Sequence, residues 1–235
     1  PTPTRTPTPT RTPTPTLSMT PSPSKILVSN IIYNWDRTSN LGYQAGAGLW
    51  SETKWCADNN TGNGTILTKW ADGATAYIRS EGLISTITLD IDVTASVIKI
   101  GWTPASTAFY GPLPRSTFIT QNSGTDVVVL DAMDIGNAEG TFALDAPYLF
   151  QMNRWTSSIR STLSVGGSLV ISRYTPGTLQ VSGGLVAVSR SLWVASPGFG
   201  DFRTNGILQV ESGLLRVQQH LFVGWGGGVD TDRLG

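Results

Sequence analysis

The stretch GTLQVSGGLVAVSRSLWVA (177–195) decides the fold, because it returns 29 residues later as GILQVESGLLRVQQHLFVG (206–224). Nine of the nineteen positions keep the same residue in both copies: Gly177, Leu179, Gln180, Val181, Gly184, Leu185, Val188, Leu192 and Val194. A third copy is predicted a further 29 residues upstream, with Phe150, Gln151 and Met152 in the places of Leu179, Gln180 and Val181, and with Leu163 and Val165 in those of Leu192 and Val194. A fixed period of this length is typical of stacked coils.

The apolar residues of each copy form short apolar-x-apolar motifs, such as Leu179-Gln180-Val181 and Leu192-Trp193-Val194. A spacing of two places both apolar side chains on one face of a β-strand. Three such strands, two tight corners and a ten-residue loop make one coil, with the loops predicted at 167–176, 196–205 and 225–234. The sequence therefore predicts an all-β fold, a right-handed, single-stranded parallel β-helix (solenoid) with coils of about 29 residues.

Three segments are predicted along the chain. Residues 1–24 form a Thr/Pro-rich extended arm or linker, and residues 25–110 form atypical N-terminal coils or a cap. Residues 111–235 form regular coils, which are clearest at 148–176, 177–205 and 206–235. Gly235 falls where Gly177 and Gly206 open their coils, so we expect a stack that ends with unpaired strand edges.

Period-two alternation also occurs inside the N-terminal part. The run ISTITLDIDV (84–93) is predicted as one strand, with Ile87, Leu89, Ile91 and Val93 on one face. Cys56 is expected to be partly buried beside Trp55. A single cysteine makes an internal disulfide impossible, so the core must supply the stability.

The arm begins with the unit PTPTRT, which occurs at Pro1 and again at Pro7. Alternating proline favours a polyproline II helix, which repeats every three residues and so places Arg5 and Arg11 on one edge. This composition suits an extracellular linker that carries O-linked glycans or docks on a neighbouring subunit. The candidate O-glycosylation sites are Thr2, Thr4, Thr6, Thr8, Thr10, Thr12, Thr14 and Thr16.

Charge and composition argue against several functions. Lys+Arg and Asp+Glu are equal at 16 each, so no basic stripe is available for nucleic acid. The apolar runs are far shorter than the ~20 residues of a membrane span, so no membrane insertion is expected. The sole histidine, His220, has no partner for a metal site, and we expect neither a metal nor another cofactor.

The run from Leu49 to Trp102 combines W-x4-W, a W-A-D-G turn, alternating Thr/Ile/Asp strands and SVIKIGW. Together with the pattern of Gly206 to Gly224, it resembles the bacterial autotransporter-associated β-strand repeat proteins, which are β-helical surface proteins. The resemblance covers most of residues 41–235 and implies secretion with a surface or matrix role. It carries over no catalytic residue, and the Thr/Pro arm and the small number of repeats depart from the family pattern.

Parallel β-helices include polysaccharide lyases and hydrolases, which need clustered carboxylates. The candidates are Asp126, Asp131 and Asp134, with Arg154 or Arg160 nearby, and the pair Asp90 and Asp92. Isolated Asp residues on turns more commonly solvate the chain, so we do not expect an enzyme. Calcium binding at Asp230 and Asp232, or at Asp131 and Asp134, is a weaker alternative.

Exposed aromatic residues are the remaining candidates for recognition. Trp193 and Phe222 occupy the middle of equivalent motifs, so they should project outward and stack between coils. Together with Trp225, Arg5 and Arg11, they form a candidate assembly or ligand surface. Phe199 and Phe202 are further candidates for stacking on sugars, and Asn59 and Asn63 match N-glycosylation sequons.

Three functions follow from the sequence. The first is a secreted structural protein, a subunit of an extracellular filament, sheath or surface matrix that self-associates through its open end and its arm. The second is an adhesin-like surface module that binds glycans. The third is a polysaccharide lyase or hydrolase.

Overall fold

The computed structural model describes residues 27–36, 46–57, 67–78, 84–101, 116–136, 153–173, 176–195 and 206–224. These residues contain twenty β-strands and no helix, so the all-β prediction is confirmed. None of them belongs to a helix long and apolar enough to cross a membrane.

The strands lie in three sheets. Sheet B has six strands: β2 (Ala47–Leu49), β6 (Ser85–Leu89), β9 (Thr117–Gln121), β12 (Asn153–Ser157), β15 (Gly177–Val181) and β18 (Gly206–Val210). Sheet C has five: β7 (Val93–Ala95), β10 (Asp126–Val129), β13 (Thr162–Val165), β16 (Leu185–Val188) and β19 (Leu214–Val217).

Sheet A has nine strands: β1 (Ile32–Trp35), β3 (Trp55–Cys56), β4 (Leu67–Thr68), β5 (Thr75–Ile78), β8 (Ile98–Ile100), β11 (Met133–Ile135), β14 (Leu169–Ile171), β17 (Leu192–Val194) and β20 (Leu221–Val223). From β6 onward, successive strands belong to sheets B, C and A in that order. Each strand pairs in parallel with the strand three places later. We call three consecutive strands, one from each sheet, a repeat.

The register confirms the two clearest sequence copies and corrects the third. Leu179 lies opposite Leu208 and Leu192 opposite Leu221, at the predicted offset of 29. Upstream, Leu179 lies opposite Trp155 rather than Phe150, an offset of 24. Leu192 likewise lies opposite Leu169, and not opposite Leu163 as predicted.

The cause is a variable connection between sheet A and the next strand of sheet B. This connection spans residues 172–176 before β15 but 195–205 before β18, whereas the other two corners stay at two to four residues from β6 onward. The loop predicted at 167–176 is therefore wrong, because β14 occupies Leu169–Ile171. The prediction assumed a constant period. The register depends instead on which strands pair, and the connections between them can differ in length.

The buried faces of the three sheets form one hydrophobic core. Leu179, Val181, Val186, Val188 and Leu192 are all buried, as the apolar-x-apolar motifs predict. The predicted strand 84–93 breaks into β6 and β7, and Ile91 lies exposed at the corner between them instead of facing the core. Cys56 is fully buried rather than partly so.

Asp and Gln side chains bridge neighbouring repeats. Asp90 accepts hydrogen bonds from the Ser51 amide at 3.0 Å and from the Ser51 hydroxyl at 2.5 Å. Asp92 accepts one from the Asp126 amide at 2.9 Å. Inside the core, the Gln121 amide donates to two backbone carbonyls, each at 2.8 Å. These bonds fix the register where apolar contacts alone would allow slippage.

Candidate functional site

The last described repeat, β18–β20, carries the most exposed apolar surface that its fold position should bury. Val210, Leu221 and Val223 are 47%, 51% and 71% exposed. Their register partners one repeat earlier, Val181, Leu192 and Val194, are 0%, 0% and 4% exposed. The side chains at these positions are therefore buried in the repeat β15–β17 and exposed in the repeat β18–β20. We call this surface of β18–β20 the end face.

The end face also carries open backbone edges. Among the described residues, β18, β19 and β20 are the terminal strands of sheets B, C and A, so within that part of the chain each pairs with a neighbour on only one side. An edge strand of this kind presents unpaired N–H and C=O groups that can template a further strand. Three edges and an apolar centre thus lie on one surface.

The opposite end of the sheets is closed, and tryptophan side chains fill it. Trp50 and Trp55 pack with their ring centroids 4.5 Å apart, and Trp35 meets Trp55 at 5.4 Å. Trp70 contacts both Trp50 at 5.2 Å and Trp55 at 5.0 Å. Edge-to-face packing of large aromatic rings stabilises such a cluster beyond simple burial. We call this set of side chains the tryptophan cap.

The strand edges at the capped end carry additional contacts, although β2 and β4 are also terminal strands with one pairing neighbour each among the described residues. Sheet A continues there into the antiparallel strands β3 and β4. The edge of β7 in sheet C is bonded to a turn, since the Thr94 amide donates to Asp72 and the Gly73 amide donates to the Thr94 carbonyl, both at 2.8 Å. A lysine on an edge discourages pairing, and Lys54 donates to the β2 carbonyl of Ala47 at 3.3 Å.

Lys54 has two further contacts at the capped end. Its ammonium lies 5.9 Å from the centre of the Trp35 ring and 2.5 Å from a carboxylate oxygen of Glu52. The hydrogen bond from Lys54 lowers the pKa of Glu52 below its usual value. The capped end therefore combines a buried aromatic cluster with charged groups at its edge.

The predicted aromatic stack is present on the outward face of sheet A. Trp193 and Phe222 are register partners, with ring centroids 3.9 Å apart and planes inclined by 21°. His220 lies beside this stack, 5.6 Å from Phe222. The other members of the candidate surface, Trp225, Arg5 and Arg11, lie outside the described residues, as do the candidate O-glycosylation sites Thr2 to Thr16.

The candidate catalytic residues are spread over different sheets. Asp126 lies on β10 in sheet C, Asp134 on β11 in sheet A, and Asp131 at the corner between them. Arg154 lies on sheet B, with its guanidinium 5.6 Å from the Phe118 ring, and Asp134 pairs instead with Arg173 at 3.6 Å.

The acidic pair Asp90 and Asp92 bonds to neighbouring repeats, so both carboxylates have structural partners. Within the described ranges, no group of three or more His, Cys, Asp or Glu side chains is placed to hold a metal ion. Asp230, Asp232, Asn59 and Asn63 lie outside those ranges.

The sequence motifs W-x4-W and W-A-D-G contain Trp50, Trp55 and Trp70, but no cluster was predicted from them. The signal was present, because Trp35, Trp50, Trp55 and Trp70 account for four of the eight tryptophans of the chain. Such density within one predicted terminal segment favours a cap, since a terminal repeat must cover the core beneath it.

Comparison with protein-family models, with curated proteins and with solved structures finds no match to this chain. The resemblance to autotransporter-associated repeats therefore stays a prediction from the sequence. The features that bear on function are the end face, the tryptophan cap and the outward faces of the sheets.

Proposed function

We propose that the chain is a right-handed parallel β-helix whose end face joins it to another copy, which makes it a structural subunit of an extracellular filament, sheath or surface matrix. The observation that carries this proposal is the contrast between Leu221, half exposed on the end face, and Leu192, sealed one repeat earlier.

The proposed fold is a closed coil with a right-handed turn. The chain visits sheets B, C and A in constant order, and the three sheets share one core, which favours a closed coil over separate sheets. Connections between parallel strands are right-handed in about 98% of cases. An experimental structure in which the path from sheet B to sheet C turns left-handed would contradict this part.

The apolar side chains of the end face supply the driving force. Fully burying a Val or Leu side chain is worth about 1.5–3 kcal/mol, so covering three that are roughly half exposed stabilises each copy by about 3 kcal/mol. Edge hydrogen bonds from β18, β19 and β20 add to this figure. A monomer that leaves these apolar side chains and strand edges exposed has a lower solubility.

The size of the end face sets the expected affinity. The strands β18, β19 and β20 contain five, four and three residues, which at about 3.3 Å per residue makes the sides roughly 10–17 Å long. This cross-section is below the ~800 Å² that each partner buries in a standard interface. We therefore expect reversible association that depends on protein concentration.

Sedimentation velocity over a concentration series tests the assembly proposal. The wild-type chain should shift from monomer to larger species as concentration rises, and Leu221→Lys should remain monomeric. Leu130→Lys is the matched control, because Leu130 is 48% exposed on another part of the surface and Leu221 is 51% exposed. Equal loss of association in both variants, or monomers at every concentration, would contradict the proposal.

The extracellular location rests on the composition of residues 1–24 and on the resemblance to surface repeat proteins. Protease treatment of intact source cells, followed by mass analysis of the released chain, tests it. We expect cleavage from intact cells and a mass excess on the Thr/Pro segment that glycosidase removes. Protection until the cells are lysed would contradict an extracellular location.

Glycan binding is a second candidate because one observation favours it. The Trp193–Phe222 stack presents adjoining aromatic rings on an outward sheet face, and such rings can pack against sugars. A glycan array should show binding that Trp193→Ala abolishes and Phe118→Ala retains, since Phe118 is outward on a different sheet. Absence of binding by the wild-type chain would remove this candidate.

A further inference from the structure

We propose that the outer face of sheet B carries a binding site for a sulfate or phosphate group that a partner molecule presents as a monoester. The site consists of four side chains on two neighbouring strands, which are Phe118 and Thr120 on β9 and Arg154 and Thr156 on β12. We call these four side chains the oxyanion patch. The patch lies on a lateral face, away from the end face and on a different sheet from the aromatic stack, so it adds a ligand site to the proposed structural role.

The register of sheet B brings the four side chains together. Phe118 is the strand partner of Arg154, and Thr120 is the strand partner of Thr156. All four point away from the core, because the alternate residues on both strands are buried. Paired strands lie about 4.8 Å apart, and the two positions on each strand are about 6.6 Å apart. One small ligand can therefore contact side chains from both strands.

The guanidinium of Arg154 is positioned by an aromatic ring and has no counter-charge. It lies 5.6 Å from the centre of the Phe118 ring, a distance at which a cation is attracted to the face of the ring. Among the described residues, Arg154 has no acidic partner, whereas Arg173 pairs with Asp134 at 3.6 Å. Because Arg154 is exposed, its planar N–H groups are available for a bidentate contact with two oxygens of an anion.

The face around Arg154 supplies hydroxyl groups and no negative charge. The eight outward positions of β6, β9, β12 and β15 hold five threonines, one glutamine, Phe118 and Arg154. The carboxylate of Glu211 follows β18, two strands away from β12, and it accepts hydrogen bonds from Gln180 and Gln209. The charge of the oxyanion patch is therefore positive.

The hydroxyl groups beside the guanidinium favour a tetrahedral oxyanion over a carboxylate. A carboxylate has two oxygens, and a bidentate arginine contact uses both of them. A phosphate or sulfate monoester has three terminal oxygens, so one remains for the hydroxyl of Thr120 or Thr156. Neither hydroxyl donates to another described residue, and branching at Cβ restricts the rotation of both side chains.

NMR titration at constant ionic strength tests the site. Methyl phosphate and methyl sulfate should each cause saturable shifts of the Arg154 side-chain N–H and of the backbone amides of Thr120 and Thr156, whereas chloride should not. Arg154→Gln should weaken binding by about tenfold or more, because the charge-assisted hydrogen bonds are lost. Phe118→Leu should weaken it less, because the charge remains and only the ring that positions it is removed.

Arg160→Gln is the matched control for the loss of one positive charge. Arg160 is exposed and has no acidic partner among the described residues, but it lies at the corner after β12, beyond the oxyanion patch. This variant should bind both esters as the wild-type chain does. Arg154→Gln should leave the sedimentation series unchanged, so failure of this site and failure of the proposed assembly are distinguishable.

Shifts that grow without saturation, or an equal loss of affinity in Arg154→Gln and Arg160→Gln, would overturn the site, because both indicate general attraction to positive charge. Binding of inorganic phosphate and sulfate without binding of the methyl esters would overturn the monoester ligand. Acetate that binds as tightly as the esters would overturn the preference for a tetrahedral group.

Discussion

Leu192 and Leu221 occupy the same column of sheet A one repeat apart, and their truncation should have unequal costs. Leu192 is 0% exposed and Leu221 is 51% exposed. Leu192→Ala leaves a cavity in a sealed core, which costs about 2–5 kcal/mol of unfolding free energy. Leu221→Ala removes a half-buried side chain that opens to solvent, so in the monomer we expect a loss of about 1 kcal/mol.

Chemical denaturation at low protein concentration measures this difference. Leu192→Ala should lower the denaturation midpoint by at least twice as much as Leu221→Ala, with unchanged slope. At high concentration, Leu221→Ala should also weaken association by about tenfold, because roughly 1.4 kcal/mol of burial is lost across the pair. Equal costs in dilute solution would refute the reasoning, since Leu221 would then be covered within its own chain.

Three further predictions concern single residues. Gly184 and Gly224 both have positive φ (67° and 66°), but a Cβ on Gly184 would lie 2.1 Å from a backbone oxygen while one on Gly224 meets nothing within 4 Å. Gly184→Ala should therefore lower the melting temperature far more than Gly224→Ala, and equal shifts would contradict this. Lys54→Met should raise the pKa of Glu52 toward its ordinary value in an NMR titration, because the hydrogen bond that lowers it is lost; an unchanged pKa would show another cause. With the wild-type lysine, the contribution of Glu52 to stability is present above its unfolded pKa and is lost as the pH falls through its lowered folded pKa. Gln121→Leu should cost about 1–3 kcal/mol in denaturation because two hydrogen bonds, each worth about 0.5–1.5 kcal/mol, to the Thr125 and Thr162 carbonyls are lost, and a neutral effect would contradict that role.

The sequence predicted the local structure well because its signal is local. Alternation in motifs such as Leu179-Gln180-Val181 depends only on which side of a strand faces the core. The offset of 29 between β15 and β18 could likewise be predicted from the sequence, since both copies keep the same residues at matched corners. Asp90 and Asp92 lie at the corner between β6 and β7 rather than on one continuous strand, and their bonds to Ser51 and Asp126 could not be foreseen.

The errors arose where the fold tolerates length variation. Phe150 was aligned with Leu179 on the assumption of a constant period, but the connection before β15 is short and Trp155 takes that place. Ile91 fitted the alternation of its neighbours, yet a corner intervenes and exposes it. A corner of three residues keeps the hydrophobic pattern in phase, so periodicity alone cannot detect it.

The sequence predicted a cap in residues 25–110 and unpaired strand edges at the other end, but the burial of individual side chains at each end was beyond its reach because burial is a property of non-local packing. Leu192 and Leu221 are the same residue type in the same motif, and only the neighbouring repeat distinguishes their burial. The tryptophan cap similarly joins Trp35, Trp50 and Trp70 from three separated segments. Pattern analysis identifies faces of strands, whereas burial at the end of a stack depends on which segment lies next to it in space.

Amide hydrogen exchange of β18, β19 and β20 at two protein concentrations tests the central claim most directly. If the end face joins two copies, edge amides of Gly206–Val210, Leu214–Val217 and Leu221–Val223 should exchange quickly in dilute solution and become protected at high concentration. Amides of the interior strands β12, β13 and β14 should be protected at both. Protection of the edge amides that does not change with concentration, or rapid exchange at every concentration, would contradict the account.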